Sequence, residues 1–134
     1  LAAFLGAKLK PGFELVASYS GLLKRLRSAD LVVTGEGRLD KSSLMGKGVG
    51  EVANLCRKHK VPCAVIAGSI EKAVQGNKLF TKTQALTDLT SEKNAQARPE
   101  HWLEKAATQV AFGWGTSGHA GRGVLQPQRL PFRW

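Results

Sequence analysis

The chain has 134 residues, 43% of them apolar, with 20 Lys and Arg against 10 Asp and Glu, for a formal net charge of +10. That frame fits one domain with a buried core and leaves no room for a second full one. No apolar run approaches the roughly 20 residues of a membrane span, and residues 1–5 are too short and uncharged for a signal peptide, so a cytoplasmic protein is expected.

The first residue is Leu1 rather than Met, and residues 1–5 read as the end of an apolar helix stopped by Gly6. A fragment or processed product lacking its N-terminal partner is therefore expected, with Leu1, Phe4 and Leu5 as apolar surface that would favour a homodimer. Pro11-Gly12 marks a turn. Leu15, Tyr19, Leu22 and Leu26 then fall at i, i+4, i+7 and i+11, a single helical stripe that Gly21 divides near its middle. Leu31 to Val33 is a short continuous apolar run, the kind buried on both faces of a parallel sheet.

That strand empties into Thr34-Gly35-Glu36-Gly37-Arg38-Leu39-Asp40, read as a glycine-punctuated loop with two acids and a guanidinium. Open parallel sheets collect ligands at the carboxyl ends of their strands, where glycines let backbone N–H groups approach a phosphate or carboxylate. Such a loop could hold a metal and an anion together.

Val49, Val52, Ala53 and Cys56 recur at i, i+3, i+4 and i+7, a crossover helix whose basic end, Arg57 to Lys60, complements the helix dipole. Pro62 opens a second strand over Cys63 to Ala67, which Gly68-Ser69 closes with a turn. Strand, helix and strand at this spacing form a βαβ unit, so the fold class is α/β: a parallel-sheet, Rossmann- or flavodoxin-like partial domain. A short helix near residues 71–74 and a weak third strand within residues 79–86 follow. Ser91 to Pro99 is polar and loop-like. Trp102, Leu103, Ala106, Ala107 and Val110 mark a terminal helix begun by Pro99-Glu100. From Phe112 the chain carries Gly113, Gly115, Gly118, Gly121 and Gly123 and no acid. Residues 1–111 are therefore read as the domain and 112–134 as a basic, Gly-rich tail, disordered or non-native.

Cys56 and Cys63 suit neither a zinc knuckle nor a redox Cys-x-x-Cys and read as two buried structural thiols. His59, His101 and His119 have no second ligand at metal spacing, and none is given a catalytic role. The positive charge raises nucleic-acid binding, but the basic residues are dispersed and lack an interleaved aromatic array, which argues against that partner.

Thr34 to Asp40 matches without a gap the T-G-E-G-R-[LI]-D segment of the bacterial glycerate kinase family, and the chain resembles that family's C-terminal third. Leu5-Gly6-Ala7-Lys8-Leu9-Lys10-Pro11-Gly12-Phe13-Glu14-Leu15-Val16 is similar to its L-G-A-x-L-x-x-G-[IF]-E-L-V segment, and Val61-Pro62 to Gly68 to its V-P-x-x-x-[LI]-A-G strand. The resemblance covers residues 1–111 and weakens after Ser69. It implies transfer of the γ-phosphoryl group of ATP to a hydroxyl of glycerate, with Mg²⁺ required. On that reading Asp40 coordinates metal or accepts the proton of the attacking hydroxyl, and Glu36 is the second carboxylate. Arg38 holds a carboxylate or phosphate, and Lys47 supplies a point charge to a phosphate. Gly35, Gly37 and Gly46 keep the backbone close, while Ser42 and Ser43 either cap the next segment or donate to the ligand.

Each role has a bland counterpart. Arg38 and Asp40 could pair across the loop, and Lys47 could be merely solvated. Gly46-Lys47-Gly48 is not a P-loop, because no Ser or Thr follows the lysine. Where the family often has Ala-Pro after that lysine, this chain has Gly48-Val49. The family's D-S-[FY]-K and G-G-S-A-T-N-D-G-G motifs are absent, so the chain is expected to hold half of a cleft and to be inactive alone. Two other readings remain: a noncatalytic nucleotide- or anion-binding module, and a basic nucleic-acid-binding protein.

Overall fold

The computed structural model describes residues 11–46 and 48–116. Three parallel strands, β1 (Val32–Leu39), β2 (Cys63–Ile70) and β3 (Lys82–Ala85), lie in the order β1-β2-β3. Before them come α1 (Gly12–Tyr19) and α2 (Leu22–Arg27), separated at Gly21, whose φ of 63° takes it out of the helical region. Helix α3 (Gly48–Lys58) crosses from β1 to β2, and α4 (Glu92–Ala97) and α5 (Pro99–Thr116) close the described chain. Single 3₁₀ turns occupy Ser42–Leu44, Lys72–Val74 and Leu86–Asp88.

The α/β class expected from the sequence is the one observed. Side chains alternate across a strand, and β2 uses that alternation to feed two cores. Cys63, Val65 and Ala67 join Leu26 of α2, Leu39 of β1 and Val49, Ala53 and Cys56 of α3 on one face. Ala64 and Ile66 join Leu86, Ala95 of α4 and Ala106 and Val110 of α5 on the other. Being buried on both faces is what makes β2 a continuous apolar run.

Four expectations need correction. The first strand does not stop at Val33; pairing continues through Glu36 opposite Ala67, Arg38 opposite Ser69 and Leu39 opposite Ile70. Likewise Gly68 and Ser69 belong to β2 rather than to a closing turn. The glycines mark close approach of two backbones: a Cβ at Gly35 would sit 2.6 Å from the Ile66 carbonyl oxygen, and one at Gly68 2.5 Å from that of Gly37. Residues 91–99, read as a loop, contain α4. Ser91 caps it, its Oγ accepting from the Asn94 N–H at 3.3 Å, with Glu92 in the first turn and Ala95 buried. Finally, α5 runs on through residues 112–116, which the sequence reading gave to the tail. Trp114 is half-buried there and lines a cavity of about 270 Å³ with Leu31, Lys82 and Val110. Expectations for residues 1–10 and 117–134, among them His119 and the apolar helix end, fall outside the described residues.

The end of α3 has a particular stop. Lys60 adopts φ 56°, the Val61 N–H donates to the Cys56 carbonyl at 2.9 Å, and the Lys60 N–H to that of Arg57 at 3.2 Å. This is the Schellman pattern, with lysine in the left-handed position that glycine usually takes. Val61 and Leu55 each pack against the core.

Candidate functional site

The carboxyl ends of β1 and β2 lie side by side, since Leu39 pairs with Ile70 and its carbonyl accepts from the Glu71 N–H at 2.9 Å. Asp40 leaves β1 at this edge, half-buried, and organises the next turn. Its Oδ1 accepts from the Ser42 Oγ at 2.6 Å, the Ser43 N–H at 2.9 Å and the Ser43 Oγ at 3.2 Å. Ser43 is 1% exposed, and its hydroxyl also reaches the Arg38 carbonyl at 3.4 Å. Both serines bond to Asp40 within this turn. A carboxylate held by three donors has little freedom to turn, so the position of Asp40 at the strand end is fixed before any ligand arrives.

Helix α3 is seated against that turn at a glycine. A Cβ at Gly50 would lie 2.6 Å from the Ser43 carbonyl oxygen and 3.0 Å from Leu44 backbone atoms. Gly46, at φ 78°, reverses the chain between the turn and the helix. Lys47, the expected phosphate contact, lies outside the described residues.

Glu36 and Arg38 stand on β1, not on a loop. Arg38 is exposed. Glu36 is half-buried, on the strand face it shares by alternation with Val32 and Thr34, and its Oε1 is buried with no hydrogen-bond partner among the described residues. An unpartnered buried carboxylate oxygen is costly, and a cation or a donated hydroxyl would satisfy it. Gly35 and Gly37 are exposed strand residues.

Two acids at the same edge escaped the sequence reading. Glu71 follows β2, half-buried, and Asp88 follows β3, its Oδ2 accepting from the Ala85 N–H at 3.2 Å. The rule that parallel sheets work at their carboxyl ends could have flagged both. Among the described residues no group of three or more His, Cys, Asp or Glu converges as a metal site. The donor chemistry nevertheless fits Mg²⁺, which takes one or two carboxylates and fills its remaining positions with water and phosphate oxygens.

Neither of two surface concavities coincides with this edge. One, of about 570 Å³, lies along α5 between Leu89, Trp102 and Lys105; the other is the cavity at Leu31 and Lys82. We give the strand ends more weight than these hollows, because the strand ends carry the acids and the guanidinium.

Cys56 and Cys63 lie buried together in the core. Burial pushes the Cys63 thiol from its ordinary 9.0 to about 12, helped by the neighbouring Cys56, and burial likewise raises Cys56. Both are free thiols, and their burial is as expected from the sequence.

A family model described as the glycerate kinase family matches residues 1–115. The chain is 35% identical over 122 residues to a glycerate kinase of Halalkalibacterium halodurans, spanning 87% of this chain and 32% of that protein. It is 46% identical over 70 residues to the glycerate 2-kinase of Escherichia coli, covering 52% of this chain and 18% of the relative. A crystal structure described as that of a glycerate kinase 2 from Salmonella typhimurium LT2 superposes with a TM-score of 0.52 at 32% identity, over 85% of this chain and 31% of that one. The chain thus spans about a third of the length of the longer matches.

Proposed function

The chain belongs to the glycerate kinase family, and from that premise we propose that it supplies one side of the active cleft of an ATP-dependent glycerate kinase. The parent transfers the γ-phosphoryl group of ATP to a hydroxyl of glycerate. The observation that carries this reading is the edge just described: Asp40 locked by its own turn, exposed Arg38 two residues before it, and Glu36 with a buried oxygen that has no partner among the described residues.

Phosphoryl transfer asks little covalent chemistry of a protein; it needs positioned charge and an oriented nucleophile. Arg38 offers a planar, always-charged fork to the glycerate carboxylate or to a phosphate. Asp40 orients the attacking hydroxyl and takes up its proton, or holds the metal. Glu36 is the second carboxylate available to Mg²⁺, which when bound would neutralise the phosphate oxygens of ATP. Lys47 adds a point charge, and Gly35, Gly37 and Gly46 keep the backbone low beside the ligand. The other half of the cleft, with the D-S-[FY]-K and G-G-S-A-T-N-D-G-G motifs absent from this sequence, comes from the rest of the enzyme, so the chain alone does not turn over. A cytoplasmic location accompanies the use of ATP.

Titration calorimetry of this chain with Mg-ATP and with D-glycerate, separately, tests the reading. Heat from either ligand that disappears in Arg38→Gln and Asp40→Ala, with both variants retaining the wild-type far-UV circular dichroism, is the expected result. Ligand heat that survives both substitutions would remove the site from this edge.

A further inference from the structure

Among the described residues, nothing covers one edge and one face of the sheet at β1. Among the described strands β1 pairs only with β2. The Val32 N–H donates toward β2, to the Pro62 carbonyl at 2.9 Å, so strand alternation turns the backbone groups of Val33 and Gly35 to the open side. On the face that β2 covers with α4 and α5 through Ala64 and Ile66, the neighbouring Val33 remains 53% exposed. From Val32 to Gly37 burial along β1 alternates between half-buried and exposed, whereas β2 beside it is buried on both faces from Cys63 to Ala67. Parallel sheets normally have both faces covered, and an open strand edge with a bare apolar neighbour is an invitation to pair.

We infer that β1 is an internal seam, and that its open edge and its Val33 face receive an extended segment followed by the apolar face of a helix from the remainder of a glycerate kinase polypeptide. The occupant is argued from length: the relatives hold about three times as much chain, and this chain matches only 31–32% of them. It is argued also from shape. Gly35 presents no side chain on the face where Val33 is bare, and a helix can lie close over such a strand. The inference rests on the kinase reading for the identity of the occupant.

The test mixes this chain with the portion of the Salmonella typhimurium relative that it does not match, and follows amide hydrogen exchange. The seam predicts a 1:1 complex in which the Val33 and Gly35 amides, fast in the isolated chain, slow by about 100-fold or more. Val33→Pro removes an outward N–H without touching a bond to β2, and Val33→Lys places a charge on the covered face; each should weaken the complex about 10-fold or more while leaving the chain folded. Absence of a complex overturns the inference, as does a complex in which both amides stay fast. Protection in the isolated monomer, or in a self-dimer seen by sedimentation, overturns it too, by showing that the chain itself or a second copy fills the seam. Slowed amides without glycerate phosphorylation would leave the seam standing and remove the kinase reading; phosphorylation with fast amides would do the reverse.

Discussion

Arg38 and Ser43 separate binding from stability at neighbouring positions. Arg38 is exposed, so Arg38→Gln should change stability by no more than about 0.5 kcal/mol in chemical denaturation while abolishing ligand heat. Ser43 is buried, with its hydroxyl between Asp40 and the Arg38 carbonyl, so Ser43→Ala should lower stability by about 1–2 kcal/mol. Equal effects of the two on unfolding would mean that the turn is not held as described. The roles of Asp40, Ser42 and Ser43 were half legible: acids and hydroxyls at this spacing make local turns, but which partner they choose depends on the fold around them. The buried oxygen of Glu36 was not legible at all, because burial of one carboxylate atom is a property of packing. The burial of the two cysteines was legible in the sequence, and they carry a pH signature. Both thiols are held neutral in the fold, while the unfolded chain ionises them from about 9.0. Stability from this source is intact below pH 9 and declines as pH rises toward 12, by about 1.4 kcal/mol per unit while one thiol ionises only in the unfolded chain. Urea midpoints at pH 8 and pH 10 should diverge, and Cys63→Ala should flatten that divergence; an unchanged slope would contradict the assignment.

Elements were legible where apolar period spoke alone and misread where glycine intervened. The stripe through Val49, Ala53 and Cys56 gave α3, and the continuous run from Cys63 gave the start of β2. Gly35, Gly37 and Gly68 suggested loops; in the fold they lie within two strands packed backbone to backbone. The same logic yields a prediction at Gly50. A methyl there meets the Ser43 carbonyl, so Gly50→Ala should cost about 1–3 kcal/mol and loosen the Asp40 turn together with α3. At the other end of α3, Lys60 sits in left-handed conformation without the freedom of glycine. Lys60→Gly should therefore raise the thermal midpoint, with a gain of about 1 kcal/mol. A fall in the midpoint would show that the lysine side chain contributes more than its backbone strain costs.

At the scale of the molecule, the sequence conveyed the class and the family but not the extent of the sheet. Short strands such as β3, with Lys82 exposed and only Gln84 and Ala85 buried, carry too little apolar pattern to be placed from sequence, and α4 was hidden in a polar stretch whose cap, Ser91, was overlooked. We propose that the strand edge from Glu36 to Asp40 forms half of a glycerate kinase site, a proposal one reconstitution can decide. It is tested most directly by measuring ATP-dependent phosphorylation of D-glycerate when this chain is combined with the unmatched portion of its Salmonella typhimurium relative. The account predicts activity that neither piece shows alone and that falls at least about 100-fold with Arg38→Gln or Asp40→Asn. Activity restored equally well by either variant would contradict it.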